Sequence, residues 1–243
     1  MLEYGADTDD LVVDLTGDGA GTDTITGFEN VNTGTGADTI TGTATKNIID
    51  AGDGANSVMA SDGDNTITTG TGIDYIRSGT GADLINAGAG DNDIDAGSGN
   101  NNITTTTGAD TIVSGAGDDT ITAGSGLNTI TAGDGANQIT TGADKDITTS
   151  GTGDDSIDAG AGDNTIIAGD GVNIIDAGTG ADDVTTGSGN DTINVSGGDN
   201  VVDAGEGANT ITATTGADTI TAGDGNNIVD SGAGADIVTL GNG

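Results

Sequence analysis

The chain has no histidine, cysteine, proline or tryptophan among its 243 residues. Without histidine or cysteine it cannot contain a Ser-His-Asp or Cys-His nucleophile, an imidazole or thiolate metal site, or a disulfide. Only Lys46, Arg77 and Lys145 are basic, against 40 Asp and Glu, and the formal net charge is −37. Nucleic acids and anionic membrane surfaces bind through many Lys and Arg contacts, so the composition argues against both and favours cations as partners.

Large apolar side chains are also scarce. Leu, Ile, Val and Phe together account for 44 of the 243 residues, and a highly charged chain with less than about one fifth of such residues is expected to be disordered. One Phe and two Tyr cannot build an ordinary aromatic core. Order in this chain must therefore come from a regular pattern.

That pattern is a repeat of nine residues, [A/T/S]-G-x-G-x-[D/N]-x-[I/V]-x. Its apolar position recurs every nine residues from Ile40 to Val238 without insertion or deletion. The two glycines permit backbone conformations closed to other residues, and the x-[I/V]-x triplet places one β-branched side chain inward between two outward ones. Each unit therefore predicts a tight turn followed by a very short strand.

Strands of three residues must stack on copies of themselves. The sequence predicts an all-β fold, a parallel β-roll or β-solenoid with two nine-residue units per 18-residue coil and about 11–12 coils. Residues 1–32 are expected to form an N-terminal cap with lead-in strands, and residues 33–243 the repeat array. Within the first segment, Leu11–Leu15 reads as a strand that covers the first coil.

The unit resembles the RTX (repeats-in-toxin, hemolysin-type calcium-binding) nonapeptide GGxGxDxUx. The resemblance extends from about Gly34 to Gly243, with an imperfect earlier unit at Gly19–Ile25, and Gly27–Val31 is similar to the lead-in that precedes such arrays. It implies a right-handed parallel β-roll in which turn carbonyls and the sixth-position Asp bind Ca²⁺ between adjacent coils. It also implies export by a bacterial type I-like route.

The resemblance assigns Ca²⁺ to the sixth-position Asp residues. These are Asp38, Asp74, Asp83, Asp110, Asp119, Asp146, Asp155, Asp182, Asp191, Asp218 and Asp236. Along each side of the roll Asp alternates with Asn almost throughout, so most sites would receive one of each and be weaker than sites with two Asp. The alternative is that Asp and Asn serve as turn formers, with stacked Asn side chains hydrogen-bonded in ladders without metal.

The sequence departs from the family pattern at two kinds of position. The leading Gly is replaced by Ala, Thr or Ser in nearly every unit, which is expected to stiffen the turn. In the unit Thr141–Thr149, Asp144 stands at the second Gly position and Thr148 at the inward position. A slip of one residue, with a local bulge, is predicted to turn Ile147 inward there instead of burying an unpaired Thr.

Targeting segments, membrane segments and a cap on the last strand would each leave a recognisable pattern in the sequence. The sequence contains no basic segment followed by an apolar run, the pattern of a secretory signal peptide. No apolar run approaches transmembrane length. No cap is visible after Leu240, so either the chain is a piece of a longer array or another subunit covers that end. End-to-end self-association or further repeats are therefore expected.

These observations favour a non-catalytic, calcium-binding structural β-roll located outside the cell or on its surface, as a surface-layer, filament or adhesin segment. One alternative is a Ca²⁺-folded C-terminal secretion and folding domain of an exported enzyme or toxin. A second is an ice-binding solenoid, suggested by outward Thr-x-Thr triplets such as Thr39–Thr41. The outward rows are interrupted by residues such as Tyr75 and Asp93, which disfavours a flat ice-binding face.

Overall fold

A computed structural model describes residues 2–3, 11–14, 23–24 and 29–243 of the chain. These residues form short strands joined by turns, and none of them belongs to a helix that could cross a membrane. The chain divides into two compact units, Met1–Ala123 and Gly124–Gly243. Each unit is a parallel β-solenoid, and together they contain about 12 turns.

The strands of the first unit are mostly three to six residues long. They are β1 (Leu2–Glu3), β2 (Val12–Asp14), β3 (Asp23–Thr24), β4 (Asn30–Asn32), β5 (Thr39–Thr41), β6 (Ile48–Gly52), β7 (Ser57–Met59), β8 (Thr66–Thr69), β9 (Tyr75–Arg77), β10 (Leu84–Ala89), β11 (Asp93–Asp95), β12 (Asn102–Thr107), β13 (Thr111–Val113) and β14 (Thr120–Gly124). One sheet has the order β1-β4-β6-β8-β10-β12-β14, and the other β13-β11-β9-β7-β5-β2-β3.

The second unit repeats this arrangement. Its strands are β15 (Thr129–Gly133), β16 (Gln138–Thr141), β17 (Ile147–Ser150), β18 (Ser156–Asp158), β19 (Thr165–Gly169), β20 (Ile174–Asp176), β21 (Asp183–Thr186), β22 (Thr192–Asn194), β23 (Val201–Asp203), β24 (Thr210–Thr212), β25 (Thr219–Ala222), β26 (Ile228–Asp230) and β27 (Ile237–Leu240). One sheet runs β16-β18-β20-β22-β24-β26, and the other β27-β25-β23-β21-β19-β17-β15.

The described strands of the array pair in parallel, and the paired residues lie 18 positions apart except at register shifts such as Gly52 opposite Thr69. Ile40 lies beside Val58, and Val58 beside Ile76, while Ile67 and Ile85 pair in the other sheet. Successive nine-residue repeats therefore alternate between two sheets, and two repeats complete one coil. The predicted all-β parallel β-roll with 18-residue coils is confirmed.

The interior is built from three positions of the nine-residue unit rather than one. The eighth-position Ile and Val side chains stack as predicted, as at Ile40 and Ile94. The first position, as at Ala51 or Ser78, and the sixth position, as at Asn65, are also buried. The narrow core is therefore part aliphatic and part polar, and the small first-position residues make room for the sixth-position side chains.

The predicted slip in the unit Thr141–Thr149 is wrong. Thr148 pairs in register with Ile130 and Ile166 and is 1% exposed, whereas Ile147 points outward and is 41% exposed. A register shift does occur, but after the inward residue, opposite Ser150. Parallel neighbours on both sides hold the strand in register, and a slip would turn its other side chains to the wrong faces. The fold buries the threonine instead.

At the N-terminal side, β2 forms the core of the predicted strand and pairs with β5 on one edge and β3 on the other. β1 pairs with β4. Leu15 and most of the imperfect unit before Ile25 lie outside the described residues. The boundary between a cap of residues 1–32 and an array of residues 33–243 stays a prediction.

Candidate metal centre

A continuous hydrogen-bond ladder of sixth-position side chains follows each side of each unit. The backbone amide of one sixth-position residue donates to Oδ1 of the residue 18 positions later, as from Asn65 to Asp83 and from Asp83 to Asn101. The distances are 2.7 Å and 3.1 Å in these two bonds. Asp and Asn are equivalent in this role because both present a carbonyl-type Oδ1. The ladder forms part of the predicted metal-free alternative.

The predicted metal residues all lie on this ladder, at the inner side of the turns. Asp236 is half-buried. The other ten are buried, with 1–2% of each residue exposed. They are Asp38, Asp74, Asp83, Asp110, Asp119, Asp146, Asp155, Asp182, Asp191 and Asp218. Across the part of the chain that the structure describes, no three acidic side chains converge as a metal cluster. Any ion in a turn must therefore draw on backbone oxygens as well as carboxylates.

The second polar atom of the side chain separates two classes of turn. We call turns with a sixth-position Asp the Asp turns, and those with a sixth-position Asn, from Asn56 to Asn227, the Asn turns. In Asn turns the amide Nδ2 donates to backbone carbonyls of its own turn, for example from Asn137 to Gly133 at 3.2 Å and to Gly135 at 3.1 Å. The amide thus closes the inside of its own turn with hydrogen bonds.

In eight of the Asp turns the corresponding oxygen has no donor. Oδ2 is buried and accepts no hydrogen bond in Asp38, Asp74, Asp83, Asp146, Asp155, Asp182, Asp191 and Asp218. Within the described residues, the fourth-position carbonyls of Gly72 and Gly81 also accept none, although the equivalent carbonyls of Gly90 and Gly99 accept from an Asn amide. Buried acceptors without donors are costly. Ca²⁺ takes six to eight carboxylate, carbonyl and water oxygens, so this donor set fits it.

Burial disfavours the charged form of seven sixth-position carboxyl groups. It raises the pKa of Asp182 to about 6. It also raises the pKa values of Asp74, Asp83, Asp110, Asp119, Asp146 and Asp155 above the ordinary value. Backbone amides that donate to Oδ1, and the first-position hydroxyl that lies beside the carboxyl group, as Ser78 lies beside Asp83, oppose this rise in pKa. Without a cation, a charged carboxylate is therefore poorly stabilised in these turns.

Sequence reasoning missed the first-position residue. Its hydroxyl lies at the inner side of the turn and donates to the first-position carbonyl of the next coil, as from Thr69 to Ala87 at 3.0 Å and from Ser78 to Ala96 at 2.9 Å. The same Thr69 hydroxyl lies close enough to Asp74 to lower its pKa. A signal was present in the sequence, because a Thr or Ser stands five residues before most of the sixth-position Asp residues and Ala before most of the Asn residues.

Third-position acids have a different environment on the exposed side of the turn. Oδ1 of Asp53 accepts from the backbone amide of Thr71 at 2.8 Å and from its hydroxyl at 2.9 Å. Asp134 makes the same two contacts with Thr152. These hydrogen bonds lower the pKa values of both acids. Asp53 and Asp134 therefore stay charged at neutral pH, and each ties its coil to the next.

The comparison with protein families agrees with this geometry. The model of the RTX calcium-binding nonapeptide repeat matches ten overlapping segments that together cover residues 32–238. The chain belongs to the RTX calcium-binding nonapeptide repeat family. RTX nonapeptides are calcium-binding motifs, so Ca²⁺ is the metal expected in these turns. Among curated proteins, no match to the chain was found.

Proposed function

We propose that this RTX chain is a non-catalytic, calcium-stabilised structural element that acts outside the cell, as a surface-layer, filament or adhesin segment. The observation that carries the proposal is the row of buried Oδ2 atoms without donors in eight of the Asp turns. Asp38, Asp74, Asp83, Asp110, Asp119, Asp146, Asp155, Asp182, Asp191, Asp218 and Asp236 would hold the ions, together with turn carbonyls.

The net charge supports a requirement for cations. At −37, the chain repels itself when its coils are stacked at the spacing of β-strands, about 4.8 Å. Three basic residues cannot offset this charge. Within the part of the chain that the structure describes, Arg77 forms ion pairs with Asp93 and Asp95, at 3.2 Å and 3.6 Å. Divalent cations in the Asp turns would neutralise carboxylates where burial makes the charge most unfavourable. Folding should therefore be coupled to Ca²⁺ binding.

An extracellular location follows from the expected affinity. Each Asp turn offers one inward carboxylate plus neutral oxygens, and few charged ligands give weak Ca²⁺ sites. Dissociation constants of roughly 10⁻⁴ to 10⁻³ M, as in extracellular calcium modules, are expected. Such sites would be empty in a cytosol poor in Ca²⁺ and filled outside, which suits export of an unfolded chain by a type I-like route.

Circular dichroism and size exclusion, with millimolar Ca²⁺ or with EDTA, test the calcium dependence at neutral pH. We expect β-structure and a compact elution volume with Ca²⁺ and their loss in EDTA. An equally β-rich spectrum in EDTA would overturn the proposal. Immunodetection on intact host cells and in culture medium tests the location, and a signal confined to the cytosol would contradict it.

We also propose that the array extends or associates end to end. β27 pairs with β25 along one edge, and within the described residues no strand pairs with its other edge. All four residues of β27 are exposed. An open edge of this kind templates a further coil, from the same polypeptide or a second copy. Sedimentation over a concentration series in Ca²⁺ should show association that Val238→Lys weakens; a monomer at all concentrations would argue against self-association.

A further inference from the structure

The isosteric exchange of Asp for Asn changes what fills the inside of each turn. Both side chains place Oδ1 on the ladder, so the second atom of the planar group is Nδ2 in one class and Oδ2 in the other. In Asn turns the Nδ2 contacts reach two places. Asn101 donates to Gly99 of its own turn at 3.0 Å and to Ser114 of the next coil at 3.1 Å. The amide therefore fastens its turn to the following coil.

An Asp cannot make these donations, and the first-position hydroxyl replaces one of them. Asn65 donates to the first-position carbonyl of the next coil, Ser78, at 3.2 Å. In the Asp turn of Asp83, the Ser78 hydroxyl donates to the equivalent carbonyl, that of Ala96, at 2.9 Å. The first-position carbonyl of the next coil thus accepts one hydrogen bond in both examples, from the Asn amide in the Asn turn and from the hydroxyl in the Asp turn. The carbonyl at the fourth position, as in Gly81, gains no replacement donor.

The first and sixth positions vary together along the chain. A hydroxyl stands five residues before Asp in Thr33, Thr69, Ser78, Thr105, Ser114, Thr141, Ser150, Thr186 and Ser231. A residue without a hydroxyl stands five residues before every Asn of an Asn turn: Ala51, Ala60, Ala87, Ala96, Ala123, Ala132, Ala159, Ala168, Val195, Ala204 and Ala222. Two Asp turns, those of Asp182 and Asp218, have Ala177 and Ala213 instead.

We propose that the two classes differ in function: Asp turns bind divalent cations, whereas Asn turns are closed by their own amide and bind none. The first-position Ser or Thr is a positioning residue, because its hydroxyl supplies the hydrogen bond to the next coil that an Asp side chain cannot donate. This inference rests on the proposed calcium function and specifies which turns carry it. From Asn56 to Asn209 the coils alternate between two Asn turns and two Asp turns, so cation-requiring and self-sufficient coils succeed each other.

The alternation has a physical use. Cations bound in every coil would stack at the spacing of β-strands, where like charges repel strongly. A coil with two Asn turns (an Asn coil) between two coils with Asp turns (Asp coils) doubles the distance between the bound cations. They also supply hydrogen-bonded layers that need no ion, so each Asp coil can fold against a neighbour already closed. Ca²⁺ then controls only the Asp coils, although the stacked array as a whole depends on them.

Conversion of single turns tests the inference. Asp182→Asn needs one substitution, because Ala177 already matches the Asn class. Ser78→Ala with Asp83→Asn converts a second Asp turn, and Ala87→Thr with Asn92→Asp performs the reverse exchange. Bound Ca²⁺ is measured by equilibrium dialysis with metal analysis, and the Ca²⁺ concentration at half-folding by circular dichroism. Asp64→Asn is the control, because it removes the same charge on the exposed side and retains the Oδ1 contact to Ala82.

We expect each Asp-to-Asn conversion to remove about one bound ion and to lower the Ca²⁺ concentration needed for folding. The reverse exchange should add an ion and raise that concentration, and the control should leave the count unchanged. A wild-type chain that binds no Ca²⁺ would overturn the proposed function. A chain that binds Ca²⁺ with the same count in all the variants would overturn the two-class inference alone. If one conversion fails to fold, the other conversion decides.

Discussion

The backbone amide of Asn65 donates to Oδ1 of Asp83 at 2.7 Å, yet Oδ2 of the same carboxylate has no donor although it is fully buried. One oxygen of Asp83 therefore supports the fold while the other opposes it. The same division occurs in seven further Asp turns, those of Asp38, Asp74, Asp146, Asp155, Asp182, Asp191 and Asp218. It makes the stability of the metal-free protein sensitive to anything that compensates Oδ2, whether a cation, a proton or a neighbouring hydroxyl.

Acidification should stabilise the metal-free protein. Burial raises the pKa of Asp182 to about 6, so between about pH 4 and 6 the folded protein holds a proton that the unfolded chain has lost. This contribution is fully present below the unfolded pKa and disappears as the pH rises through the folded pKa. For Asp182 it is on the order of 3 kcal/mol, and the other Asp turns with raised pKa values add to it.

Circular dichroism in EDTA between pH 7 and pH 5 measures this effect, because the metal-free chain is expected to be unfolded at pH 7 and to regain β-structure on acidification. We expect stability to increase towards pH 5, and Asp182→Asn to reduce the pH dependence. A metal-free protein whose stability decreased on acidification over this range would contradict the prediction.

Adding a hydroxyl beside Asp182 should lower its pKa. Ala177 occupies the position at which Ser78 lowers the pKa of Asp83, and Ala177 is buried in a site that Ser fits elsewhere in the array. In Ala177→Ser, a carboxyl ¹³C titration without metal should show the pKa of Asp182 below about 6. Ala168→Ser, in an Asn turn, is the matched control. An unchanged pKa in Ala177→Ser would show that the first-position hydroxyl does not act on the carboxylate.

Replacing Thr148 by Val should stabilise the protein. Thr148 is buried between Ile130 and Ile166, and its hydroxyl has no hydrogen-bond partner. Val keeps the shape and removes the orphaned group, so a gain of about 1 kcal/mol or more is expected in urea unfolding with Ca²⁺. Thr131→Val on the exposed face of β15 should change the stability by less than about 0.5 kcal/mol. Equal effects of the two substitutions would show that burial of the hydroxyl is not the cause.

The fourth-position glycines should not tolerate a side chain. Gly90 has φ +135°, and a Cβ atom there would overlap the carbonyl oxygen of Gly72 in the preceding coil. Gly90→Ala should therefore destabilise the protein by about 2 kcal/mol or more in urea unfolding with Ca²⁺. Ala82→Gly, at an exposed turn position, is the comparison and should cost less than about 1 kcal/mol. A Gly90→Ala protein as stable as the Ala82→Gly protein would be inconsistent with this close approach.

The sequence by itself determined the architecture. The strict nine-residue period, with Ile or Val at one position and Gly at two, admits one economical arrangement: strands too short to stand alone stack in parallel coils of 18 residues. Inward Ile40 and Ile94 and outward Tyr75 followed from the period alone. At Thr148 the period was the better guide: the polarity of the side chain suggested a slip, but the neighbouring strands hold Thr148 inward and in register.

Only the tertiary structure decided what the polar turn residues do. An Asp and an Asn are equivalent turn formers in a sequence, and the difference between them appears when Oδ1 is occupied by the amide of the preceding coil and the second atom is directed inward. Nδ2 of Asn137 then finds carbonyls, whereas Oδ2 of Asp83 finds no donor. The amide that occupies Oδ1 belongs to a residue 18 positions earlier, so the registration of successive coils, which only the folded array establishes, directs the second atom inward and creates the distinction.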